Sequence, residues 1–100
     1  MGEEPPKPSP AWHCYLLACA DGTIYTGITT DPARREAMHN RGVASKYTRA
    51  RRPVRMIWTE PHPDRASASR REAALRRLPA AAKRALAASA AAGPGDPPAT

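Results

Sequence analysis

Residues 12–29 read WHCYLLACADGTIYTGIT, and this stretch decides the fold. Its two halves, 12–19 and 23–29, are rich in aromatic and β-branched residues and flank the turn-forming sequence Ala20-Asp21-Gly22. Two such runs around a short glycine-containing turn predict a β-hairpin.

The length of the hairpin loop determines which side chains share a face of the sheet. A two-residue Asp-Gly loop would place Tyr15 and Tyr25 on opposite faces. A three-residue loop, with Gly22 in the left-handed conformation, instead pairs Tyr15 with Gly27 and puts both tyrosines on one face. Gly27 then leaves space opposite the Tyr15 ring. Local chemistry allows both loops, and we prefer the three-residue loop.

Further helix and strand signals follow the hairpin. Asp31 is an N-cap residue followed by proline, and Gly42 is a good C-cap, so a helix is predicted between them. The later predicted elements are a basic loop at 43–53, a strand at 54–60, a helix from Asp64 to about residue 78, and an alanine-rich helix at 80–92. The order β-β-α-β-α-α predicts an α+β fold with a small three-stranded antiparallel sheet flanked by helices.

The positive charge of the chain lies in its predicted domain. Residues 1–10 and 93–100 are rich in proline and poor in apolar residues, so we expect disordered tails around one domain at 11–92. The tails hold one lysine and three acidic residues, so the net charge of +7 for the chain becomes +9 for the domain. Such a charge indicates a polyanionic partner.

Composition excludes several classes of protein. No apolar run approaches the ~18 residues of a membrane span, and the acidic, proline-rich start is unlike a secretory signal peptide. Cys14 and Cys19 lie five apart on one predicted strand, so they face opposite sides and cannot form a disulfide. With no further cysteine and three scattered histidines, zinc-type ligand clusters are not expected. We expect a reduced, cytoplasmic protein with no membrane partner, and we assume a monomer.

Residues 34–55 form a basic segment with eight cationic residues and one acid. Its aromatic residue, Tyr47, stands among the cations of the predicted loop. Arginine binds phosphate through paired hydrogen bonds, and an interleaved ring can stack on a base. The pattern indicates phosphate contact, with a solvated loop that favours solubility as the alternative. It does not separate DNA from RNA.

Glu72 is the one carboxylate after the N-cap of its predicted helix. Helical spacing places it on the side of Ala68 and Leu75, which are expected to face the sheet. A carboxylate at the edge of a buried stripe needs an arginine or a metal ion as its partner. Helical geometry alone favours an ion pair within the helix, with Arg76 or with Arg65.

Two side chains on the first predicted helix, Arg35 and His39, stand four residues apart and share a face. This pair could grip a phosphate, although the sequence pattern alone favours an ordinary surface face. The other histidines, His13 and His62, have no partner that the sequence indicates.

The hairpin and its neighbours resemble the GIY-YIG nuclease family over roughly residues 12–86. The two family motifs are written here as HCY at 13–15 and YTG at 25–27, with their tyrosines ten residues apart. The first motif has lost its glycine and isoleucine, and Ile28 stands where the excision-repair relatives carry lysine. The similarity is strongest to the small stand-alone bacterial members of the family.

Three further residues match the family pattern. Arg35 follows the second motif tyrosine by ten residues, where the family places its helix arginine. His39 stands one turn later, where relatives have tyrosine or histidine. Glu72 lies on the helix after the third strand, as the single metal-binding glutamate of the family does.

The resemblance implies a DNA endonuclease that uses one divalent metal, Mg²⁺ or Mn²⁺, held mostly by Glu72. Tyr15 or Tyr25 would activate or orient the attacking water, with a phenol pKa lowered by nearby positive charge. Arg35 would neutralise charge in the transition state, and His39 would assist positioning or proton transfer. The residues expected to hold the nucleic-acid strand are Gly27, Lys46, Tyr47, Arg49, Arg51 and Arg52.

Two other functions stay open from the sequence. A non-catalytic nucleic-acid-binding module with a degenerate nuclease site would take its affinity from the arginines. A basic adaptor for ribosomal or repair assemblies would bind proteins instead. The nuclease interpretation predicts weak sequence selectivity, with the substrate chosen by its shape and charge.

Overall fold

A computed structural model describes residues 11–91 and confirms the α+β fold, a three-stranded antiparallel sheet flanked by helices. The elements in chain order are strands β1 (Trp12–Ala18) and β2 (Ile24–Thr29), helices α1 (Pro32–Asn40) and α2 (Lys46–Arg49), strand β3 (Arg55–His62), and helices α3 (Arg65–Arg76) and α4 (Ala80–Ala91). The expected tails at 1–10 and 93–100 lie outside the described residues. No helix in the described part of the chain is long and apolar enough to cross a membrane.

The hairpin of β1 and β2 forms with the three-residue loop. Tyr15 pairs with Gly27 and Leu17 pairs with Tyr25, which is the register that this loop requires. Gly22 has a φ of 89°, in the left-handed region, as predicted. The two motif tyrosines therefore lie on one face of the sheet.

The short helix α2 lies in a segment predicted as a loop, so that prediction is wrong for these four residues. The Ser45 hydroxyl caps the helix by accepting a hydrogen bond from the Thr48 amide at 3.2 Å. A four-residue helix is too short to show a hydrophobic period, and the sequence pattern therefore missed it. The longer helices α1 and α3 begin at their predicted caps, Asp31 and Asp64.

Strand β1 is central in the sheet order β2-β1-β3, and its successive residues face opposite sides. We call one side the core face, whose buried residues are Cys14, Leu16, Ile24, Trp58, Ala68, Leu75 and Ala87. We call the other side the tyrosine face, whose buried residues are Tyr15, Leu17, Cys19 and Val54, with Tyr25 and Met56 packed against them. Helices α3 and α4 close the core face. The two cysteines lie on opposite faces as predicted, and both are buried free thiols.

Helix α1 is fastened to the start of β3 by two side chains one turn apart. The Glu36 carboxylate accepts a hydrogen bond from the Met56 amide at 2.7 Å. The Asn40 side chain accepts from the Val54 amide at 2.7 Å and donates to the Val54 carbonyl at 2.9 Å. These bonds set the rotation of α1 about its axis. Arg35 and His39 each precede one of these two residues by one position. Their side chains are thereby directed toward the tyrosine face.

Part of the positive charge serves the fold rather than a partner. Lys83 of α4 is 8% exposed and donates to the Ile24 carbonyl at 3.4 Å, and Arg84 donates to the Gly22 carbonyl. Burial lowers the pKa of Lys83, with a smaller contribution from the charge of Arg76. These two cations hold α4 against the hairpin.

Candidate active site

Tyr15 and His39 meet on the tyrosine face of the sheet. The Tyr15 hydroxyl lies 2.8 Å from His39 Nε2, and the two residues are 1% and 0% exposed. Gly27 makes this placement possible, because a Cβ at that position would overlap the hydroxyl and ring of Tyr15. The space predicted opposite the tyrosine is therefore filled by the ring itself.

Thr48 of α2 is the second partner of His39. Its Oγ1 lies 2.7 Å from His39 Nδ1, and it also donates to the Ser45 carbonyl at 3.4 Å. A carbonyl only accepts, so this bond uses the Thr48 proton and leaves its oxygen to accept from Nδ1–H. The hydrogen-bond chain thus assigns Nε2 of the neutral imidazole as the acceptor for the Tyr15 phenol.

Burial controls the titration of both groups. It lowers the pKa of His39 to about 4, and the charge of Arg35 adds to the effect, so the imidazole is neutral at pH 7. Burial also raises the pKa of Tyr15, and this outweighs the lowering by the Arg35 guanidinium beside it. The expectation that positive charge lowers this phenol pKa is therefore wrong, because desolvation opposes the phenolate more strongly than arginine favours it.

An aromatic row extends from His39 toward the solvent. The Tyr25 ring packs edge-on against His39 with centroids 5.1 Å apart, and Tyr47 follows Tyr25 at 5.8 Å. The Arg51 guanidinium lies 3.8 Å over the Tyr47 ring, and its Nε donates to Asp21 at 2.9 Å. Tyr47 is 38% exposed, and Arg51 covers one of its two stacking faces.

Arg35 lies beside the Tyr15 hydroxyl, close enough for its charge to lower the pKa of that phenol. Its Nε is buried and makes no hydrogen bond within residues 11–91. A buried donor without a partner costs about 1–3 kcal/mol. The unsatisfied donor next to a phenol and an imidazole is suited to an incoming anion such as phosphate.

Glu72 of α3 forms the ion pair that helical geometry favoured, with Arg76 Nη2 at 3.4 Å from its Oε2. The carboxylate is partly buried, whereas the Arg76 side chain is mostly exposed. The charge of Glu72 contributes to the raised pKa of both Tyr15 and Cys14. Its electrostatic effect therefore acts on one residue of each face of the sheet. A single carboxylate of this kind fits Mg²⁺ or Mn²⁺, which need few protein ligands.

Of the six predicted strand-binding residues, Gly27 is buried against the Tyr15 ring, Tyr47 is part of the aromatic row, and the four cations divide into two pairs. Lys46 and Arg49 have exposed side chains at the surface of α2. Arg51 bonds to Asp21, and Arg52 donates to the Arg49 carbonyl at 2.9 Å. The second pair therefore also braces the segment that follows α2.

Residues 11–84 match the family model described as the GIY-YIG catalytic domain. The chain belongs to the GIY-YIG family. The match spans β1 through the start of α4 and therefore includes every candidate catalytic residue. Members of this family are nucleases that generally depend on a metal, so the protein belongs to a nuclease family whose substrates are nucleic acids.

Individual relatives agree with this assignment. A UPF0213 protein of Xanthomonas axonopodis pv. citri is 57% identical over 72 residues, which are 72% of this chain and 71% of the relative. A UPF0213 protein of Desulfotalea psychrophila is 47% identical over 85 residues, covering 84% of this chain and 77% of the relative. A protein of E. faecalis solved by solution NMR is 41% identical, with a TM-score of 0.52 over 76% of this chain and 81% of that one.

The structure thus brings Tyr15, Tyr25, Arg35 and His39 together on the tyrosine face, whereas Glu72 lies on α3. Thr48 was not predicted as a member of the site. The one sequence signal near it is Ser45, a capping residue three positions earlier. Nothing local in the sequence indicates that this short helix lies against His39.

Proposed function

We propose that this protein is an endonuclease that hydrolyses phosphodiester bonds in DNA with one divalent metal, Mg²⁺ or Mn²⁺. The supporting observation is the buried chain Tyr15–His39–Thr48 beside the unsatisfied Nε of Arg35. A protein that only binds nucleic acid does not need a phenol hydrogen-bonded to a buried imidazole. A hydrolase does need a proton acceptor held in one orientation.

His39 is the proton acceptor in this mechanism. Its Nε2 accepts from the Tyr15 phenol, which leaves a lone pair of the phenol oxygen to accept from a water molecule. As the water oxygen bonds to phosphorus, its proton passes to the Tyr15 oxygen and the phenol proton passes to His39 Nε2. The bond from phosphorus to the leaving oxygen breaks, and that oxygen takes a proton from solvent.

Arg35 couples phosphate binding to this proton transfer. Its charge is the second cause, after burial, of the low pKa of about 4 at His39. A bound phosphate offsets that charge, so His39 becomes a stronger base when the substrate is present. Arg35 also donates to phosphate oxygens as negative charge develops on them.

Glu72 is the proposed metal ligand. The bound ion would supply positive charge to the phosphate oxygens. Arg76 pairs with Glu72 Oε2, so a metal at this oxygen would displace the exposed arginine. Lys46, Arg49 and the open part of the Tyr47 ring would hold the DNA strand by its phosphates and one base.

Cleavage of branched, flapped and plain duplex DNA tests the proposal, with Mg²⁺, Mn²⁺ or no metal present. Arg35→Ala and Glu72→Ala are each expected to lower the rate by at least about 100-fold. Arg34→Ala is the matched control, because it removes the same charge from the exposed neighbouring position of α1. If the wild-type protein does not cleave, or if both site variants cleave at the wild-type rate, the proposal is wrong.

A nucleic-acid-binding module without activity is the second candidate. The Glu72–Arg76 ion pair favours it, because the pair already satisfies the carboxylate that would hold the metal. This function predicts salt-dependent DNA binding with no cleavage, and binding that Glu72→Ala leaves unchanged.

A further inference from the structure

A second group of polar side chains lies on the core face, away from the tyrosines. Cys14, Glu60 and His62 each offer one ligand atom, and these atoms all lie within 4.8 Å of one another. Cys14 of β1 pairs directly with Glu60 of β3, and Glu60 and His62 are two apart on one strand. The sheet itself therefore brings a thiol, a carboxylate and an imidazole to the same side.

His62, for which no partner was predicted, is held in a definite orientation. Its Nδ1 lies 2.7 Å from the Ser67 hydroxyl of α3, and its Nε2 lies 2.8 Å from Glu60 Oε1. Metal-binding histidines commonly have their second ring nitrogen fixed by such a hydrogen bond. Arg71 Nε also donates to Glu60 Oε1 at 3.0 Å, which orients the carboxylate.

The Cys14 sulfur lies where β1 packs against α3. The residue is fully buried, and its thiol donates to the Ala68 carbonyl at 3.1 Å. A metal that coordinates the sulfur displaces its thiol proton to solvent.

We propose that Cys14, Glu60 and His62 form a binding site for Zn²⁺, separate from the four candidates on the tyrosine face, Tyr15, Tyr25, Arg35 and His39. Thiolate and imidazole ligands select zinc over magnesium, which prefers oxygen. Three protein ligands leave the fourth tetrahedral position to water. The bound ion would join β1 to β3, and through Ser67 and Arg71 it would steady α3, the helix that carries Glu72.

This proposal departs from the expectation that zinc-type clusters are absent from this chain. That expectation rested on the two cysteines and three scattered histidines of the chain, and Cys14 is far in sequence from Glu60 and His62. Pairing between strands removes this separation. The inference does not depend on nuclease activity, since none of its three ligands is a candidate catalytic residue.

Cobalt binding provides the test, with the untagged, reduced full-length protein titrated with Co²⁺. A one-to-one complex with thiolate-to-cobalt charge-transfer absorption is expected, and Zn²⁺ should displace the cobalt and raise the unfolding temperature. Cys14→Ser should remove the absorption band. Cys19→Ser is the matched control, because it removes the other buried thiol and should leave the band intact.

His62→Gln covers the case in which Cys14→Ser fails to fold, because residue 62 is only partly buried. This variant should bind Co²⁺ and Zn²⁺ more than about 10-fold more weakly and lose the zinc-dependent rise in unfolding temperature. The proposal is overturned if the wild-type protein shows no stoichiometric charge-transfer band. It is equally overturned if His62→Gln binds both metals as tightly as wild type, or if the band follows Cys19 rather than Cys14.

Discussion

Cys14 and Tyr15 are neighbours in the chain, yet they enter two different environments. Cys14 faces a mainly apolar layer closed by α3 and α4, whereas Tyr15 faces the polar side chains of α1 and α2. The packing on the core face is stabilised by the removal of apolar side chains from water. The tyrosine face buries a phenol, an imidazole and a hydroxyl, and this is tolerable because they bond to one another. One strand thus supports stability on one side and candidate chemistry on the other.

The largest effect on stability is expected from the core face. Leu16→Ala removes a fully buried side chain and should lower the free energy of unfolding by about 2–5 kcal/mol. Urea unfolding measures this change, and Leu78→Ala is the control because Leu78 is 37% exposed. Nuclease activity of the protein that remains folded should persist. An equal loss of stability in both variants would contradict the assignment of Leu16 to the buried core.

The two faces should also differ in how they respond to pH. A pH dependence of stability is expected from the tyrosine face, because that face buries His39. The pKa of His39 is 6.5 when unperturbed and about 4 in the folded protein, so between these values the unfolded chain binds more protons. Stability is therefore full above pH 6.5 and falls as the pH is lowered toward 4, by roughly 3 kcal/mol in total. Unfolding of wild type and His39→Gln across this range should differ in slope. Parallel curves would show that His39 is not held neutral by burial.

Gly27→Ala is expected to disrupt the packing of the tyrosine face around the Tyr15 ring. The new Cβ would overlap the Tyr15 ring, so the ring must move away from His39, with a stability loss of about 1–3 kcal/mol. DNA cleavage should fall together with stability. In a Tyr15→Leu background the same glycine substitution should cost less, and a double-mutant cycle measures this coupling. Additive losses would mean that residue 27 does not constrain the tyrosine.

Thr48→Val should have the smallest effect on folding. It keeps the shape of the side chain but leaves His39 Nδ1 without its partner, at a cost of about 1–2 kcal/mol. If His39 is the proton acceptor, kcat for DNA cleavage should fall at least about 10-fold with little change in KM, and its pH profile should shift. Thr48→Ser restores the hydroxyl and should rescue both. Unchanged kcat in Thr48→Val would assign Thr48 a purely structural role.

Local patterns predicted much of the fold, and particular residues show where they failed. The loop around Gly22 and the two-residue period of the strands favoured the register that places Tyr15, Tyr25 and Gly27 on one face, as the structure has it. Helical spacing paired Arg35 with His39. The anchoring of α1 through Glu36 and Asn40 was not predicted, since it depends on which backbone amides of β3 lie opposite the helix. Helix α2 was missed because one turn carries no period.

The sequence by itself favoured the hairpin register that forms, and it determined the order of the elements other than α2 and the likeness to a nuclease family, since turn chemistry and periodicity act between near neighbours in the chain. Only the tertiary structure decided that Thr48 meets His39 and that Glu60 and His62 meet Cys14. It also reversed the expected direction of the Tyr15 pKa shift. These outcomes depend on how segments far apart in the chain pack and how completely they exclude water. The spacing of residues along the sequence does not determine either property.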